Sequence, residues 1–154
     1  MLIEITDPTS LATVSDLLHD AIFLHEDVVF DEEHGVFRIL FWRELSEVTR
    51  ERRVFPLVTR VESPWVRSEL NVRHVSGVHI RVTDRTYTGE YCLVDMVYDQ
   101  PKDVIRFKVM GPLDMTITVD GLNGTLCDIG EETWDGPSIL RLRLGSKWVE
   151  LGFR

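Results

Sequence analysis

The sequence predicts an α+β domain that is mainly antiparallel β, a sandwich or strongly bent sheet of about eight strands with one N-terminal amphipathic helix. Three observations carry this. Most of the chain beyond residue 27 alternates apolar with polar residues at period two, the mark of half-buried strands. Only one stretch, early in the chain, repeats with helical spacing. Gly, Asp and Asn punctuate the rest at short intervals, as tight turns require. With 154 residues, 44% of them hydrophobic and 28% charged, the length predicts a single domain over 1–154 with a core of its own.

Asp7-Pro8 is a helix start, with Asp as N-cap and Pro at the first helical position. Leu11, Val14, Leu17, Leu18, Ala21 and Ile22 then share one face, which predicts a helix over 8–19. Residues 28–30 and 36–43 read as strands flanking the polar segment 31–35, which ends in Gly35 and predicts a hairpin. Residues 44–53, with charges of alternating sign, read as a connecting loop or a short helix. A strand over 54–61 is interrupted by Pro56 and so belongs at an edge.

In 66–83 a three-residue Val75-Ser76-Gly77 loop pairs Val72 with Ile80 and Leu70 with Val82, with Gly77 left-handed. This register keeps the apolar residues on one face. It also sends His74 and His79 to opposite faces. Cys92, Val94, Met96 and Tyr98 are predicted to share a buried face. Ile105, Phe107 and Val109, and then Leu113, Met115, Ile117 and Val119, alternate with polar residues. Asp120-Gly121 predicts a hairpin pairing Val119 with Leu122 and Met115 with Leu126. Residues 139–144 form a last strand before an aromatic tail.

The net charge is −9, and its placement is uneven. Residues 1–37 hold nine acids (Glu4, Asp7, Asp16, Asp20, Glu26, Asp27, Asp31, Glu32, Glu33) and no Lys or Arg, whereas the remaining residues are neutral. Eight arginines, Arg50, Arg52, Arg53, Arg60, Arg67, Arg73, Arg81 and Arg85, lie in 50–85 against four acids. Arginine makes bidentate carboxylate contacts, so the two segments suit each other within one molecule or across a homo-oligomer. The acidic balance repels phosphate, which disfavours nucleic acid. No stretch reaches the roughly 20 apolar residues of a spanning helix, and no membrane partner is expected. Two cysteines without a CxxC pair predict reduced thiols and a cytoplasmic protein.

Phosphate-binding Gly loops, HExxH, GxSxG and EF-hand spacing are all missing from the sequence, so no cofactor is expected. The densest ligand cluster is His19-Asp20 followed by His25-Glu26-Asp27, where imidazole and carboxylate together suit a cation such as Zn²⁺. The same cluster lies at a helix end, where a histidine is favoured by the dipole, and the structural reading is preferred with no metal assigned. Asp31, Glu32 and Glu33 extend the acidic patch. Asp128, Glu131, Glu132 and Asp135 surround Trp134 in a loop with no basic residue nearby in sequence, which makes Trp134 a further binding candidate.

The Leu17-Leu18-His19-Asp20-Ala21 stretch and the acidic hairpin after it resemble the start of small uncharacterised bacterial β-rich proteins, some of them similar to toxin-immunity proteins. The resemblance spans residues 14–43. It implies a protein-binding module rather than an enzyme, with acidity suited to a basic partner. The functional expectation is therefore a non-catalytic protein-interaction or assembly domain that meets a basic protein through its acidic N-terminal quarter. The competing expectation is a small metal-binding protein or metal-dependent enzyme centred on His19, Asp20 and His25.

Overall fold

A computed structural model describes residues 1–46, 48–134, 138–144 and 147–153. The chain divides into two compact units, one of residues 1–43 and 67–130, the other of 44–66 and 131–154. The architecture is mainly antiparallel β with a single α-helix near the N-terminus, and the large sheet does not close on itself.

The larger unit begins with β1 (Leu2–Ile5) and α1 (Pro8–Leu17). Asp7 caps α1 by accepting from the Ser10 N–H at 2.7 Å, while the Ser10 hydroxyl oxygen accepts from the Asp7 N–H at 3.1 Å. Leu11, Val14 and Leu18 point into the core, as the helical spacing predicts. Next come β2 (Ile22–Phe23), β3 (Val28–Asp31) and β4 (Val36–Glu44); β3 and β4 form the expected hairpin, with Phe30 opposite Phe37. Gly35 turns it with φ +61°, where an added Cβ would meet the Val75 carbonyl at 3.1 Å.

Two of the expected hairpins do not form. Between β5 (Arg50–Phe55), β6 (Val58–Glu62) and the remaining strands, β7 (Trp65–Val72) and β8 (Val75–Val82) follow in sequence but do not pair. Leu70 faces Leu126 and Val72 faces Gly124 in β12 (Gly124–Asp128), while Ile80 and Val82 face Met115 and Leu113 in β11 (Leu113–Val119). The left-handed residue at the corner is His74, φ 56°, and not Gly77. The backbone groups that a hairpin would satisfy are satisfied elsewhere: Arg73 N–H donates to Asn123, Val75 N–H to Gly35, and the His74 carbonyl accepts from Asp120. Asp120-Gly121 likewise turns the chain without pairing β11 to β12; Leu126 sits between Ile3 and Leu70.

A bulge corrects the face assigned to Cys92. In β9 (Tyr91–Asp99), Asp95 lies opposite Lys108 and Leu93 opposite Val109 of β10 (Val104–Met110), which leaves Val94 as the extra residue. Tyr91 and Leu93 therefore point inward on one side of the bulge and Met96 on the other. Cys92 is half-buried, its thiol 3.7 Å from Asp20 Oδ1, and Cys127 is half-buried too.

The path of the large sheet is β1-β12-β7-β4-β2-β9-β10-β11-β8, with β3 beside β4. Its core holds Phe23, Phe37, Ile39, Phe41, Leu70, Leu93, Ile105, Met115, Ile117 and Leu126. Among the described residues Arg43 is the one fully buried charged side chain, only 1% exposed. Its Nε and Nη2 donate to the two oxygens of Asp128 at 3.2 and 3.1 Å, and Ser68 Oγ donates to Asp128 Oδ1 at 2.6 Å. The α-amine of Met1 is 3.3 Å from Asp128 Oδ2. Burial pushes the Asp128 carboxyl up, but the bonds from Arg43 and Ser68 and the charges of Arg43 and the amine outweigh it, so it sits below its ordinary value.

The smaller unit is an antiparallel sheet ordered β14-β13-β6-β5, where β13 is Ser138–Leu144 and β14 is Lys147–Phe153. The strand expected over 54–61 is split here. Pro56, with no N–H to give a ladder, stands in the turn between β5 and β6, and its carbonyl accepts from the Arg53 guanidinium at 2.8 Å.

Candidate binding surface

The acid-rich first quarter belongs to the larger unit, and its carboxylates are mostly on the outside. Glu4, Asp7, Asp16, Asp20, Glu26, Glu32 and Glu33 are exposed, while Asp27 and Asp31 are half-buried. The strand β3 sets their spacing. It is bracketed by a 3-10 turn over His25–Asp27 at one end and the Glu32-Glu33-His34-Gly35 turn at the other. Among the described strands it pairs with β4 alone, so its other edge carries no ladder.

The half-buried acids hold the segment in shape. Asp27 Oδ2 accepts from the Leu24 N–H at 2.9 Å, and Asp27 Oδ1 is 3.6 Å from Arg67 Nη2. Asp31 accepts from the His34 N–H at 3.2 Å and from the His34 ring at 2.9 Å. These bonds hold the Asp31 carboxyl below its usual range, the backbone N–H having the largest effect. Glu26, Glu32, Glu33 and His25 point outward with no such duty.

His19 and Asp20 lie together, with Nε2 of His19 3.8 Å from Asp20 Oδ2. The other ring nitrogen, Nδ1, donates to the Val94 carbonyl at 2.7 Å, the carbonyl of the bulge residue. Asp20 is left-handed, φ 63°, and its N–H donates to Leu93. Among the described residues no group of three or more His, Cys, Asp or Glu side chains stands close enough to hold a metal ion.

Trp134 is in the smaller unit, and its basic neighbour comes from far away in the sequence. The Arg50 guanidinium lies 3.6 Å from its ring centroid. Asp135, assigned to the same acidic loop, lies outside the described residues. The sequence reading also missed Arg67 as the partner of Asp27, which 39 intervening residues hide. Of the N-terminal acids and the 50–85 arginines, Asp27 and Arg67 pair within the larger unit, while Arg81 pairs with Asp114 at 3.8 Å. No helix among the described residues is long and apolar enough to cross a membrane. No protein-family model, curated protein or solved structure matches the chain.

Proposed function

We propose that the chain is a non-catalytic protein-interaction domain that engages a basic partner protein through the carboxylates of its first 37 residues. The observation that carries this reading is the exposure of seven of the nine acids, with Glu26, Glu32 and Glu33 grouped at the two ends of β3. Carboxylates clustered at exposed positions raise the local negative potential and speed the approach of a basic surface. The unladdered edge of β3 offers backbone N–H and C=O groups alongside them, the arrangement used when a partner adds a strand.

Selection from a library of Lys- and Arg-rich peptides tests this. Bound peptides are expected to lose affinity between about 0.1 M salt, where the Debye length is about 10 Å, and about 1 M, where it is about 3 Å. The triple substitution E26Q/E32Q/E33Q is expected to weaken them by about tenfold or more. Failure to enrich any basic peptide, or affinities unmoved by both salt and the triple substitution, overturns the reading.

A further inference from the structure

The smaller unit carries a second surface of opposite sign. Strand register places its side chains. Phe55, Val58, Leu142 and Val149 form one cross-strand row, and Arg52, Arg60, Leu140 and Leu151 form the next. Residues two apart on a strand share a face, so both rows lie on the same side of the sheet. The bulge between Arg53 and Phe55 keeps Phe55 in line with Arg52. Phe55 is 66% exposed at one edge of the sheet and Val149 and Leu151 are exposed at the other, with Val58, Leu140 and Leu142 half-buried between them. Isolated surface apolar residues need no explanation, but a contiguous row rimmed by polar groups marks a contact surface.

The charge at the rim decides what fits. Arg52 stands directly opposite Arg60, a like-charge pair that costs the sheet stability. Glu62 neutralises Arg60 at 2.7 Å, whereas Arg52 makes no hydrogen bond or ion pair among the described residues. Arg50 lies on the same face with its guanidinium over Trp134. A basic partner would add to this repulsion. A second copy docked face to face about a two-fold axis would bring a second set of these arginines into the same interface.

We propose that this face of the smaller unit docks an acidic segment of a partner protein. Aliphatic side chains of that segment cover Phe55, Val149 and Leu151, and its carboxylates pair with Arg52 and Arg60. Arginine suits this because its planar fork binds a carboxylate with two parallel hydrogen bonds. The inference is independent of the acidic surface described above, and it calls for a partner of opposite charge.

Selection of random dodecapeptides displayed on phage against the whole chain provides the test. Peptides that combine Asp or Glu with Leu, Ile, Val or Phe are expected to be enriched. Their affinity is expected to fall by about tenfold or more in the double variant R52E/R60E and in F55S, and to be unchanged in R81E, on the larger unit. The substituted residues are exposed, so the variants are expected to keep the parent far-UV circular dichroism. Basic peptides that bind R52E/R60E and the parent equally well report the acidic surface and not this one. Three results overturn the proposal: no acidic enrichment, acidic peptides that bind R52E/R60E undiminished, or sedimentation showing a dimer of the chain that R52E/R60E dissociates.

Discussion

Replacing Asp128 with alanine removes the carboxylate on which the buried Arg43 guanidinium rests. Two hydrogen bonds, at 3.2 and 3.1 Å, disappear together with the counter-charge, and Ser68 loses the acceptor of its 2.6 Å bond. Breaking a buried ion pair from one side costs about 3–5 kcal/mol. Arg43 is 1% exposed but keeps its bond to Ser68 Oγ at 3.2 Å, so D128A is expected at the lower end of that range. R43M should cost less, about 2 kcal/mol. Methionine refills the aliphatic stem, and the carboxylate it leaves is 14% exposed and still holds Ser68 and the α-amine. In the double variant the two losses are one loss counted twice, so it should be more stable than their sum by about 1–3 kcal/mol. Urea unfolding followed by circular dichroism reads all three values. The pH dependence gives a second check. The folded Asp128 carboxyl lies below its ordinary 3.8, so its contribution is present above that value and is lost as the pH falls through the folded one. The gap between D128A and the parent should therefore narrow on acidification below about pH 4. A D128A penalty under about 1 kcal/mol, or additive single losses, would show that the core does not depend on this pair.

Gly35→Ala is expected to cost about 1–2 kcal/mol, because it puts a side chain at φ +61° and a Cβ 3.1 Å from the Val75 carbonyl. Gly77→Ala should be near neutral: its backbone is not left-handed, and a Cβ there meets Thr118 at 3.9 Å, so equal penalties in thermal melts would contradict the structure. Asp7→Ala should lower Tm at neutral pH by removing the cap. The Asp7 carboxyl is held down chiefly by the Ser10 backbone N–H, so the difference should fade as the pH drops below its usual range, and a pH-independent difference would refute the assignment.

What was legible in the sequence was local. The Asp7-Pro8 cap, the apolar face of α1 and the hairpin of β3 and β4 each depend on residues within one turn or two adjacent strands, and each formed as expected. Partner choice was not legible. Leu70 and Val72 alternate equally well against β8 or β12, and nothing within 70–82 states that Asn123 and Gly35 will take the backbone bonds of the corner. A single extra residue, Val94, was enough to invert the face assigned to Cys92, because period-two reasoning has no memory across a bulge. The same difficulty hid the apolar row of the smaller unit, where Val54 breaks the alternation between Arg52 and Phe55. The acidic quarter, by contrast, could be found by counting charges alone.

His19 and Asp20 show why residue chemistry had to be weighed against architecture. Together they have the atoms of a metal site, yet both residues also have work in the fold. The chain must leave α1 and enter β2 within a few residues, and Asp20 makes that corner because aspartate tolerates the left-handed region better than most residues. Its N–H and the Ala21 carbonyl then clamp Leu93 from both sides. The bulge at Val94 turns a carbonyl away from the regular ladder, and the His19 ring donates to it. Ser15 adds to this from the helix, its hydroxyl accepting from the Met96 N–H and donating to the Asp95 carboxylate, so the bulge and the helix end are joined at the Val94 carbonyl, the Asp95 side chain and the Met96 N–H. Glu26, Glu32 and Glu33 answer no such demand. Charges retained at exposed positions without an internal partner cost the free chain some self-repulsion. An approaching cationic surface relieves that repulsion, and the free energy released favours the complex.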